Sequence, residues 1–121
     1  MKLYKREDFI KLPPNTIYSR VQTKYLELCY GLYCKTSGDG VDWVEQDLIA
    51  EAGFPNKIDD AHEALMYQID LRDSFKDFKT DLDCGGRDGM FETSDTFVVW
   101  DTEDMRRLYD YLGDCLNIKQ L

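Results

Sequence analysis

Tyr25-Leu-Glu-Leu-Cys-Tyr-Gly-Leu-Tyr-Cys-Lys35 is the stretch whose reading decides the fold. Side chains alternate across a strand with period two, so Leu26, Leu28, Tyr30, Leu32 and Cys34 should share one face. Tyr25, Glu27, Cys29, Gly31, Tyr33 and Lys35 should share the other. Gly31 marks a bulge, because a glycine inside a strand pattern has no side chain to pack.

Working outward, Thr16 to Gln22 is rich in β-formers and reads as a second strand. A short helix over Lys5–Leu12 precedes it and is stopped by Pro13-Pro14, since proline cannot continue a helix. Downstream, Thr36 to Gly40 has turn composition and Val41–Ile49 returns as a hairpin partner. Ile58 to Leu71 has helical periodicity, with Ile58, Ala61, His62, Leu65, Met66 and Ile69 on one stripe. Asn56 is placed to cap it, and Asp59 and Asp60 suit its positive first turn. Ser74–Leu82 is ambiguous between strand and extended loop. Thr96 to Trp100 is apolar on both faces, the mark of a central strand. Asp101-Thr-Glu-Asp104 then opens a final helix whose buried stripe is Met105, Leu108, Leu112 and Leu116, with Gly113 inside it at a cost in helix propensity. The pattern predicts one α+β domain over residues 1–121. Its sheet, of about four to five mainly antiparallel strands, packs against two main helices and a short N-terminal one.

Charge separates the chain into two parts. Residues 1–35 carry seven bases against three acids, net +4, and residues 36–121 carry eight bases against 21 acids, net −13. Such an acidic surface repels nucleic acid, so no direct DNA binding is expected, unless carboxylates imitate phosphates toward a DNA-binding partner. No apolar run reaches the roughly 18 residues of a membrane helix, and the N-terminus has no signal-peptide pattern. The expectation is a soluble cytoplasmic protein without membrane contact. Cys29, Cys34, Cys84 and Cys115 have no C-x-x-C spacing, so four reduced, mostly buried thiols are expected.

Catalytic chemistry has little to work with. His62 is the single histidine, and it falls on the apolar stripe, where a satisfied core or boundary role is expected. No nucleophile elbow and no cofactor motif is present. Asp81 to Glu92 approximates a calcium loop, with Asp81, Asp83, Gly86 and Glu92 in place. Gly85 removes a ligand at position five, which leaves Asp81, Asp83 and Glu92 as weak metal candidates and no assigned metal. The same stretch reads as an anion nest on Gly85-Gly86 with Arg87 adding charge, or as a glycine turn placing Arg87 and Asp88 before the central strand. Tyr18, Trp43 and Trp100 offer aromatic faces and Arg20 and Arg106 offer charge to a nucleotide-sized ligand.

Phe9-Ile-Lys-Leu-Pro-Pro-Asn-Thr-Ile-Tyr18, with Gly86-Arg-Asp-Gly-Met-Phe-Glu92 and Thr96-Phe-Val-Val-Trp-Asp101, resembles small uncharacterised bacteriophage accessory proteins. Those proteins carry an LP-x-GT-[IL]-Y stretch and an RDG-x-F block before a VW segment; here Asn15 stands in place of the glycine. The resemblance implies a phage counter-defence protein in the host bacterial cytoplasm. The first expectation is a non-enzymatic, homo-oligomeric sponge that sequesters a cyclic nucleotide or related immune signal at Arg87, Asp88, Arg20, Tyr18, Trp43, Trp100 and Arg106. The alternative is an acidic inhibitor of a host defence protein, by nucleic-acid mimicry or direct blocking, and a weaker one is a metal-dependent phosphodiesterase.

Overall fold

A computed structural model describes residues 1–38, 42–49, 60–80, 82, 86–87 and 95–120, with no side-chain description at 38, 86–87 and 118–120. The elements are β1 (Lys2–Lys5), α1 (Arg6–Phe9), β2 (Thr16–Gln22), β3 (Glu27–Gly38), β4 (Trp43–Asp47), α2 (Ala61–Ser74), β5 (Gly86–Arg87), β6 (Thr96–Val99) and α3 (Thr102–Gln120). The strands form one antiparallel sheet in the order β1-β6-β2-β3-β4-β5. The fold is α+β as its periodicities require, and β6 lies inside the sheet, as its two apolar faces predict.

Two sequence expectations change at the edges. Lys2 to Lys5, where no strand is expected and Lys5 is expected to open the first helix, pairs with all of β6 at the border of the sheet, and α1 is confined to Arg6–Phe9. Lysines at both ends of such a strand are a common guard against edge-to-edge association. Tyr25 and Leu26 leave the predicted strand and join the β2–β3 turn, where Leu26 has φ 50°.

The bulge at Gly31 is confirmed, and it overturns the strict alternation of β3. Tyr18 pairs with Tyr33 and Arg20 pairs with Tyr30, so two steps on β2 match three on β3. Face parity therefore inverts across Gly31, which has φ 74°. A Cβ there would lie 2.6 Å from the Tyr33 ring, which makes glycine obligatory on two counts.

The core sits on one face of the sheet. Phe9, Tyr18, Trp43 and Phe97 are all buried there. Phe9 stacks on Phe97 at 4.3 Å and meets Tyr18 and Trp43 edge-on at 4.7 and 5.1 Å. Such pairs add about 0.5–1.5 kcal/mol each beyond the burial of their area.

Lys35 anchors this arrangement. Its side chain is 1% exposed, and its ammonium donates to the carbonyls of Phe9, Ile10 and Leu12 at 3.2, 3.1 and 2.8 Å. The Phe9 carbonyl also accepts from the Leu12 amide at 3.1 Å, while those of Ile10 and Leu12 lie just beyond α1, where helical partners run out. Its own carbonyl accepts from the Asn15 amide at 2.6 Å. Asn15 has φ 71°, a left-handed conformation that asparagine tolerates, so it does here what a glycine would do. Thr16 Oγ1 donates to the Pro13 carbonyl at 2.7 Å and completes the turn.

The two long helices depart from expectation more sharply. Asp60, not Asn56, caps α2, its Oδ1 accepting from the His62 amide at 2.7 Å; residues 56 and 59 lie outside the described ones. Ala61, His62, Leu65 and Met66 on the expected core stripe are exposed, Ile69 is half-buried and Leu71 is the buried residue of α2. α3 opens as predicted, with Asp101 Oδ1 accepting from the Asp104 amide at 2.8 Å. Met105 and Leu108 are half-buried, whereas Leu112 and Leu116 are exposed. Met1 ties this helix start to the sheet, its amino group lying 2.6 Å from Asp104 Oδ2. Cys29, Cys34 and Cys115 are free thiols, but Cys29 and Cys115 are exposed rather than buried, and Cys84 is outside the described residues.

Replacing Lys35 by methionine removes a donor from three carbonyls and leaves to the Phe9 carbonyl only its bond from the Leu12 amide. Urea denaturation of Lys35→Met should show a loss of roughly 2–4 kcal/mol, in the range of buried groups left unpaired. Asn15→Gly should change stability by less than about 0.5 kcal/mol, whereas Asn15→Val should cost more than about 1 kcal/mol, since a branched side chain disfavours positive φ.

Candidate functional site

Tyr18, Arg20 and Trp43 are brought together, as a ligand site would require, but the structure uses all three internally. Tyr18 and Arg20 alternate on β2, and Trp43 and Glu45 alternate on β4, so each pair projects from one side of its strand. β3 lies between, which separates the two strands by about 9–10 Å, two ladder spacings. Long side chains bridge that gap. Arg20 Nη2 donates to Glu45 Oε1 and Oε2 at 2.9 and 2.8 Å, and the Tyr18 hydroxyl donates to Glu45 Oε2. Trp43 Nε1 donates to the Tyr18 oxygen at 3.0 Å. The Arg20 guanidinium also lies 4.2 Å from the centre of the Tyr33 ring, within cation–π range.

The electrostatics follow from burial. Tyr18 is held protonated well above the usual tyrosine range, first by burial and then by the Glu45 carboxylate. Burial likewise raises Tyr33, and it lowers Lys35. A phenol that resists ionisation is a poor proton donor near neutral pH, and the Glu45 carboxylate beside it is taken up by Arg20. The cluster fastens β2, β3 and β4 together.

Tyr18 is 0% and Trp43 1% exposed, so neither presents a ring face to a ligand. Their assignment as stacking aromatics is corrected to core. Trp100 is half-buried and lies elsewhere; its Nε1 donates to Ser19 Oγ at 3.0 Å, and Ser19 Oγ donates to the Gly31 carbonyl at 2.6 Å. Arg106 is exposed on α3. The Arg87 backbone pairs with Val44 at the β5 border of the sheet. Asp88, Asp81, Asp83 and Glu92 lie outside the described residues. Gly86, the sixth position of the calcium-loop pattern, is extended and laddered to Glu45, where that pattern requires a sharp turn.

Tyr33 completes these networks together with Glu45, Lys35 and Ser19, three residues that sequence reasoning does not single out as site residues. The parity of Trp43 and Glu45 in Asp-Trp-Val-Glu-Gln was a usable signal for Glu45. Ser19 and Lys35 gave none, because polar residues inside strands usually face solvent.

No protein family, curated protein or solved structure matches this chain.

Below about pH 10 the Tyr18 phenol contributes its full share of stability, because its folded pKa is raised above the ~10 of an unfolded tyrosine. That share is lost as pH rises through the folded value. Chemical denaturation should show Tyr18→Phe weaker than the parent by about 1–3 kcal/mol at pH 7, with the gap closing above pH ~10. A double-mutant cycle on Arg20→Ala and Glu45→Ala should give a coupling of roughly 1–3 kcal/mol.

Proposed function

We propose that this chain is an acidic binding protein that occupies the basic, nucleic-acid-binding face of a protein partner. One observation carries the proposal: residues 60–80 and 95–117 hold eleven acids against five bases, and all eleven except Asp104 are exposed. Most of the acidic excess in these stretches therefore faces outward, away from the aromatic core. Carboxylates on the outer turns of helices form an array that a basic groove, shaped for phosphates, accepts on charge grounds. The resemblance to phage accessory proteins makes a host defence effector the class of partner we favour.

The sponge reading loses support from the same geometry. Tyr18 and Trp43 are spent in the core and Arg20 is bound to Glu45. Self-association, expected with the sponge, fits the acidic reading equally well. No described helix is long and apolar enough to cross a membrane.

Affinity capture from bacterial cytosol, with the protein as bait, tests this reading. The captured partner should be a basic nucleic-acid-binding protein, should be displaced by duplex DNA, and should elute steeply as salt shortens the Debye length from about 10 Å toward 3 Å. Asp70→Lys/Asp73→Lys, two exposed acids of α2, should weaken capture several-fold. A rise in melting temperature with any member of a cyclic-nucleotide panel, or capture indifferent to salt and DNA, would overturn the proposal.

A further inference from the structure

We draw no further inference here: the strongest candidate, the apolar face of α3 that carries the exposed Leu112 and Leu116, supports no proposal because nothing in the structure shows what covers it.

Discussion

The buried ammonium of Lys35 is the constraint on which the rest of the fold depends. A short helix of four residues has almost no internal hydrogen bonding, and would not hold Phe9 in place by itself. Three carbonyls at its exit converge on one lysine of the neighbouring strand, so the end of α1 is satisfied by β3 rather than by water. That contact presses Phe9 onto Phe97 and closes the space above Tyr18 and Trp43. The desolvation that lowers the Lys35 pKa is offset by those three bonds. A hydrophobic residue would fill the volume and leave the helix end unsatisfied.

A second polar layer stands beside the first. Glu45 receives Arg20 and Tyr18 from two strands away, while on Ser19 the indole of Trp100 is joined to the carbonyl of the bulge. Both networks are complete, with no described buried side-chain nitrogen or oxygen left without a partner. Half-satisfied networks of this kind would loosen the sheet; satisfied ones specify a single register. This explains why residues that look like ligand contacts in the sequence are structural. A site with affinity for a nucleotide and a network that pins three strands need the same residue types, and sequence spacing does not tell them apart.

Its content of β-formers made β2 legible, and apolarity on both faces made the strand at Thr96–Val99 legible, because burial on the sheet acts directly on which residues are apolar. β1 was hidden, since a border strand can be mostly charged without cost. The stripe of α3 is present but its Leu112 and Leu116 are exposed rather than buried, whereas α2 separates apolar from polar residues hardly at all and buries Leu71 instead of the expected stripe. An amphipathic pattern records that a face avoids water, without recording whether the cover is the chain's own sheet or another molecule. The Tyr18–Glu45 cluster was half legible: Tyr18, Arg20 and Trp43 stood out as residue types, but their convergence depends on a strand order no local pattern contains.

That strand order also governs how the chain reaches its native state. β6 lies between β1 and β2, so the first two strands made are not neighbours and leave a gap until Thr96–Val99 arrives. Until then the β2–β3–β4 meander lacks Phe97, the floor on which Phe9 stacks. Contacts this distant in sequence raise contact order and slow folding, because loop closure must precede their reward. On the ribosome, four-fifths of the protein would emerge before its core could close, with open strand borders and bare aromatic faces exposed for that interval.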